Sequence, residues 1–212
     1  ITGSAGKTSL KNLLKDILQN FGKTLCSPKS YNNHYGVPLS LSQLQNIHEY
    51  GVFELGMSRA GEIDKLSKLV KPHIGIITNI GEAHIENFKN LKGIAKAKGE
   101  IIDNIAKNGT LVINRDDKFF KYFYKKAISK NLKVLSFGIS KKADINLLKS
   151  RAYKNNKIIF VNINGVKISL KIKNTNIYNV LSTLAVLSKF DLNFKKFASI
   201  MKDYQPTIGR GK

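Results

Sequence analysis

Cysteine, tryptophan, proline and acidic side chains are all scarce in this 212-residue chain: one Cys, no Trp, four Pro and 14 Asp plus Glu. The lone Cys26 excludes an internal disulfide and any zinc centre built from cysteines, and fits a reducing compartment. No apolar run approaches the ~20 residues of a membrane-spanning helix, and no signal peptide is visible, so no membrane insertion is expected. Acid scarcity leaves a formal charge of +22. Arginine is also sparse, at positions 59, 115, 151 and 210, so the excess is lysine. It is spread along the chain among Asn and Ile, whereas a nucleic-acid binder would cluster Arg with aromatics on one face. The charge therefore reads as a solvated surface, with no nucleic-acid partner. A 42% hydrophobic content is enough for a sizeable core in one domain, or one domain with a small appendage.

What is present is concentrated at the start. Gly3-Ser4-Ala5-Gly6-Lys7-Thr8 precedes a strongly periodic apolar pattern. Glycines let backbone N–H groups approach an anion, and a following helix aims its positive end at the same point. Lys7 would reach outer phosphates and the Thr8 hydroxyl would hold Mg²⁺. The spacing between the glycines is shorter than in the commonest phosphate loop. The chain opens almost inside this loop and without Met, so a preceding strand and a longer parent protein are expected.

Leu10, Leu13, Leu14, Ile17, Leu18 and Phe21 recur at helical spacing. A short strand at 24–26, a polar loop at 31–38 and a further helical stretch through Leu41, Leu44 and Ile47 follow. Tyr50 to Leu55 reads as a buried strand, 61–70 as a helix, 74–78 as a strand and 91–107 as a helix. Then come a strand at 110–113, a helix to about 129 and a strand at 134–137. This alternation predicts an α/β fold of three layers around a mostly parallel sheet. From about 140 to 173 the pattern changes to consecutive strands, with Asn164-Gly165 a hairpin turn, a small antiparallel β appendage. Helices at about 176–189 and 194–203 close the chain.

Three groups besides the loop carry chemistry. Glu54 stands at a strand's C-terminal end, where ligands bind in parallel sheets. His84 follows another strand end. The two can share one cation, with mixed oxygen and nitrogen ligation suited to Mg²⁺ or Mn²⁺; Glu82 and Glu86 compete for the same role. Lys96 and Lys98 lie on the next helix, and spacing alone distinguishes neither from a solvated lysine.

Taken together, Gly3 to Thr8, Asn32 to Pro38, Glu54 to Ile63, Thr78 to His84, Ala95 to Ile101 and Asn114 to Asp117 resemble, in order and approximate spacing, the central ATPase domain of the Mur ligases. The resemblance covers nearly all of the chain, and its details are closest to the branch that adds D-Ala-D-Ala to UDP-N-acetylmuramoyl-tripeptide. It implies an ATP- and Mg²⁺-dependent amide ligase of peptidoglycan precursor synthesis, cytoplasmic and monomeric, acting through an acyl phosphate. Gly3, Ser4, Ala5, Gly6 and Lys7 would hold the phosphates, and Thr8 the first Mg²⁺. Glu54 and His84 would serve a second metal (Mg²⁺, with Mn²⁺ an alternative), and Lys98 matches a lysine carbamylated in relatives. Asn32, Asn33 and Asn79 match substrate-side residues, Asn179 an adenine contact, and Arg210 an arginine near the phosphates. Thr175 departs from the family's usual His. The flanking N-terminal UDP-binding and C-terminal domains have no counterpart in residues 1–212, so the fragment alone is expected to be inactive. Other readings are a MurE-like or folylpolyglutamate-type sibling, or a P-loop nucleotide-binding module without ligase chemistry.

Overall fold

The structure, a computed structural model, describes residues 1–83, 85–154, 156–190 and 193–205. The periodicity after the glycine loop forms helix α1 (Lys7–Leu18), which buries Leu10, Leu13, Leu14, Ile17 and Leu18. Each of these side chains contributes about 2 kcal/mol of burial. In chain order there follow β1 (Thr24–Cys26), α2 (Gly36–Leu41), β2 (Tyr50–Val52), α3 (Glu62–Val70), β3 (Ile74–Ile77), α4 (Leu91–Lys98), β4 (Thr110–Asn114), α5 (Phe120–Ser129) and β5 (Lys133–Gly138). The three strands β6 (Ile145–Tyr153), β7 (Asn156–Ile163) and β8 (Val166–Ile172) precede α6 (Ile177–Lys189) and α7 (Phe194–Asp203).

Strands β3 to β8 form one sheet in sequence order. The pairs β3–β4, β4–β5 and β5–β6 are parallel, while β6–β7 and β7–β8 are antiparallel. The antiparallel strands thus continue the same layer, joined to it through Phe137↔Ile145 and Gly138↔Asn146. The β7–β8 turn has both central residues at positive φ, Asn164 at 49° and Gly165 at 95°, as a tight hairpin demands. Strands β1 and β2 pair in parallel as a separate ribbon. The first two residues lace the ribbon to the main sheet. The Ile1 amine donates to the Phe53 carbonyl and Leu55 N–H to the Ile1 carbonyl, both at 2.8 Å; Thr2 N–H donates to Ile76 and Thr78 N–H to Thr2.

Alternation along the strands feeds two cores. Val112 and Ile76 face α1, α6 and α7, whereas Leu111, Ile113 and Ile77 face α3, α4 and α5. This is the three-layer arrangement expected from the sequence. Three boundaries differ from expectation. The helix predicted through Ile47 stops at Leu41: the N–H groups of Gln43 and Leu44 turn to carbonyls three residues back and that of Gln45 to the His48 ring, and Leu44 and Ile47 stay exposed. The strand predicted to Leu55 ends at Val52, since Phe53 and Leu55 spend their backbone bonds on Ile1. The helix predicted over 91–107 tightens at Gly99 into a 3-10 segment, Gly99–Asn104. The C-terminal ends of β2, β3 and β4 open on the same edge as the start of α1, which brings the glycine loop, Glu54, Thr78 and Asn114 together.

Candidate active site

The glycine loop is held by the end of β3. Ser4 N–H donates to the Asn79 carbonyl at 2.9 Å, and Ser4 Oγ exchanges hydrogen bonds with the backbone of Gly81. The Asn79 carboxamide accepts from Ala5 N–H at 3.0 Å and donates to the Ala5 carbonyl at 3.1 Å, and Thr78 Oγ1 donates to the same carbonyl at 2.7 Å. Gly3 has φ 146°, and a Cβ there would lie 1.9 Å from Thr78 Oγ1. Gly6, at φ 80°, sits at the N-cap of α1. Only glycine fits both positions. Lys7 opens the helix and its Nζ donates to the Gly3 carbonyl at 2.9 Å. Burial pushes its ammonium below the ordinary range, while Glu54 pulls it back up.

One residue further, Thr8 Oγ1 donates to Glu54 Oε2 at 2.8 Å. Glu54 is buried, and its other oxygen accepts from Asn32 Nδ2 at 2.8 Å. A hydroxyl and a carboxylate forty-six residues apart in sequence thus meet beside the loop. Lys98 points inward from α4 with 1% exposure, whereas Lys96 is exposed. This resolves the pair that spacing left open. The Lys98 Nζ has no hydrogen-bond partner among the described residues, and burial, aided by the charge of Lys7, lowers its pKa to about 7. The expected ligand His84 and the expected phosphate contact Arg210 lie outside the described residues. Glu82 and Glu86, the rival acids, are exposed. Among the described residues no three His, Cys, Asp or Glu side chains gather into a metal cluster.

A cavity of about 500 Å³ opens beside the loop, walled by Ala5, Gly6, Asn114, Phe137, Asn179 and Ser182. Asn176 caps α6 by accepting from the N–H groups of Tyr178 and Asn179. This leaves Asn179 and, one turn on, Ser182 on the cavity wall. The Ser182 hydroxyl is buried without a hydrogen-bond partner among the described residues. An unpartnered buried hydroxyl costs about 1–3 kcal/mol, and a polar ligand in the cavity would relieve it.

Several groups have duties that local sequence patterns do not reveal. Asn33 Oδ1 accepts from the N–H groups of Tyr35 and Gly36, shaping the entry to α2, while Asn32 turns to Glu54. Asp116 accepts from Ile139 N–H at 2.6 Å, Ser140 N–H at 2.9 Å and Tyr178 Oη at 3.2 Å. Burial and this carboxylate push the Tyr178 phenol up. Asp117 accepts from Ile80 N–H at 2.7 Å, tying the loop after β3 to the end of β4. Glu100 reaches from the 3-10 segment to accept from Gly61 and Asp64 N–H, capping α3. Their position just past strand and helix ends was a usable signal; their partners were not. A glycine cradle, a lysine at a helix start and a hydroxyl paired with a carboxylate are together suited to a polyphosphate with a divalent cation.

The sequence model of the Mur ligase middle domain matches residues 1–187. A UDP-N-acetylmuramoyl-tripeptide–D-alanyl-D-alanine ligase of Rickettsia prowazekii is 37% identical over all of this chain and 48% of its own length. The ligase of the same description from Buchnera aphidicola of Acyrthosiphon pisum is 46% identical over 67% of this chain and 31% of its own. Among solved structures, MurF from Acinetobacter baumannii superposes with a TM-score of 0.91 at 29% identity, covering 99% of this chain and 46% of that one. MurF of Thermotoga maritima, solved with ADP, gives 0.88 at 27% identity, covering 99% and 48%. The chain spans about half, or less, of the length of these relatives.

Proposed function

The chain belongs to the Mur ligase middle-domain family, and from that premise we propose that it is the ATP-binding domain of a longer, monomeric, cytoplasmic MurF-type ligase. In this reading residues 1–212 form the middle domain, and the flanking domains of the parent protein hold the UDP end and the incoming dipeptide. The reaction joins D-Ala-D-Ala to UDP-N-acetylmuramoyl-tripeptide. A substrate carboxylate oxygen attacks the γ-phosphorus of ATP and ADP leaves. The amine of the dipeptide then attacks the resulting acyl phosphate, a proton departs, and phosphate is expelled as the amide forms.

The contact between Thr8 Oγ1 and Glu54 Oε2 carries this reading, because it sets a hydroxyl and a carboxylate beside a glycine loop at a helix N-terminus, an arrangement suited to an anion with its cation. The loop of Gly3, Ser4, Ala5 and Gly6 receives the phosphates, and Lys7, released from the Gly3 carbonyl, neutralises the charge on the transferring group. Thr8 and Glu54 are hard oxygen donors that fit Mg²⁺, which keeps several waters and takes one or two protein ligands: Thr8 would hold a first cation and Glu54 a second beside it, and Mn²⁺ suits the same donors. Bound there, the cation would polarise the phosphoryl oxygens. An ammonium is no ligand, so Lys98 serves a metal only after modification. With a pKa of about 7 it is largely an amine at pH 8. Such an amine adds to CO₂, forming an N–C bond and losing one proton, and the carbamate carries anionic oxygens. With Glu54, His84 would serve the second metal, and Arg210 would neutralise phosphate charge. Asn179, on the wall of the 500 Å³ cavity, contacts adenine, with Ser182 beside it. Asn32, Asn33 and Asn79 line the approach of the UDP-linked peptide, while also holding Glu54, the α2 entry and the loop.

Phosphate release by the full-length protein tests the proposal. It should require ATP, Mg²⁺, UDP-N-acetylmuramoyl-tripeptide and D-Ala-D-Ala together. Equal release with diaminopimelate or glutamate in place of the dipeptide would refute the assignment.

A further inference from the structure

One buried charge takes no part in the chemistry above. Lys11 lies a turn beyond Lys7 and Thr8 on α1, with 1% exposure, on a helix whose neighbouring buried residues are leucines. Desolvating an ammonium costs several kcal/mol unless hydrogen bonds compensate, so an apolar residue would be the ordinary occupant of such a position. The Lys11 Nζ donates to the Ser27 carbonyl at 2.7 Å and to the Lys29 carbonyl. These carbonyls bracket Pro28, and Lys29 is held at φ 44°, a conformation that a non-glycine residue rarely adopts.

The segment pinned in this way leads within three residues to Asn32. Ser27 N–H donates to the Val52 carbonyl at 3.0 Å, and Ser27 Oγ accepts from Glu54 N–H at 3.3 Å. Asn32 Nδ2 reaches Glu54 Oε1 at 2.8 Å, and the Asn32 carbonyl accepts from Gly56 N–H at 2.8 Å. A Cβ on Gly56 would come within 2.7 Å of the Asn32 side chain, so this seat has no slack. Glu54 is therefore gripped by a short segment at both its backbone and its carboxylate, and Lys11 fixes that segment from the same helix that presents Thr8.

We propose that Lys11 is a positioning residue for Glu54: by clamping residues 27–29 it seats Asn32, which turns the Glu54 carboxylate toward Thr8 and the cation. This rests on the reading of Thr8 and Glu54 as metal-binding groups. The clamp acts on how well the divalent cation is held and leaves the phosphate cradle alone.

The test is a Mg²⁺ titration of phosphate release by the full-length ligase, with all substrates saturating. Lys11→Met should raise the half-saturating Mg²⁺ concentration about tenfold, with KM for ATP at saturating Mg²⁺ changed less than twofold. Lys11→Arg, which keeps the donor charge, should recover most of the shift. Asn32→Ala should reproduce it, and the double variant should be no worse than the more severe single one, since both act through one carboxylate. If Lys11→Met does not fold, Lys11→Gln, which is uncharged and too short to reach both carbonyls, takes its place in the cycle. An unchanged Mg²⁺ requirement in a variant with lowered thermal stability would overturn the proposal, as would shifts that multiply in the double variant. Wild-type turnover indifferent to Mg²⁺ would instead remove the metal reading on which the proposal stands.

Discussion

Lys98 should make the stability of this protein depend on pH in a recognisable way. Its folded-state pKa is about 7 against an ordinary 10.5. Below pH 7 both folded and unfolded chains carry the proton, and the full penalty of a buried ammonium is present. Between pH 7 and 10.5 the unfolded chain is protonated and the folded one is not, so stability rises with pH; above 10.5 both are neutral and the penalty is gone. The slope in the middle of that window approaches 1.4 kcal/mol per pH unit, and the whole shift corresponds to about 5 kcal/mol. Lys98→Met keeps the volume and removes the proton. The assay is urea unfolding followed by circular dichroism, in CO₂-free buffers from pH 6 to 10.5, for both proteins. Other titrating groups cancel in the difference, so wild-type stability minus that of the variant should climb by about 1 kcal/mol or more per unit between pH 7.5 and 10. A difference that stays flat would refute the reasoning, because it would mean that the native ammonium is solvated or paired. With ¹³C-bicarbonate added at pH 8, wild type should show a carbamate carbonyl resonance that Lys98→Met lacks.

Gly3→Ala must push its methyl into Thr78 Oγ1 and hold a non-glycine residue at φ 146°. It should destabilise by about 3 kcal/mol and abolish ADP binding by calorimetry. Glu100→Ala, which removes the acceptor of Gly61 and Asp64 N–H and touches no residue of the glycine loop, should lower urea-unfolding stability by about 1–2 kcal/mol and change ADP affinity less than twofold. Ser182→Ala removes an unpartnered hydroxyl, so thermal stability should be unchanged or higher. ATP affinity should fall about fivefold, the worth of one neutral hydrogen bond, whereas tripolyphosphate binding should not change.

Local pattern carried the reading of this chain where one element's own periodicity decides its structure. Leu10 to Leu18, the apolar strands from Ile74 to Phe137 and the turn at Asn164-Gly165 all behave as their spacing requires. It failed where a partner outside that periodicity decides. Leu44 and Ile47 have helical spacing but lie in turns closed by Leu41 and His48, and Phe53 and Leu55 leave their strand for Ile1. That Glu54 arrives at the edge of the glycine loop was legible, because parallel strands deliver their ends to one edge; that its carboxylate takes the Thr8 hydroxyl was not, since the sequence paired Glu54 with His84. The choice of Lys98 over Lys96 was not open to spacing, since burial depends on which face of α4 meets the sheet. Nothing local marked Glu100 as the cap of α3, Asp116 as the anchor of Tyr178, or Lys11 as the clamp on residues 27–29.

The glycine loop owes its shape to its own chain: Asn79, Thr78 and Gly81 grip Ser4 and Ala5 from the end of β3. A cradle braced in this manner is a fixed gauge. It offers the same backbone to a diphosphate as to a triphosphate, and so it cannot by itself register that the outermost phosphate has gone. On the proposed reading that discrimination would fall to side chains, Lys7 turning away from the Gly3 carbonyl and Glu54 sharing Thr8. Capture of the nucleotide and recognition that it has been spent would then be divided between backbone and side chain at one end of α1.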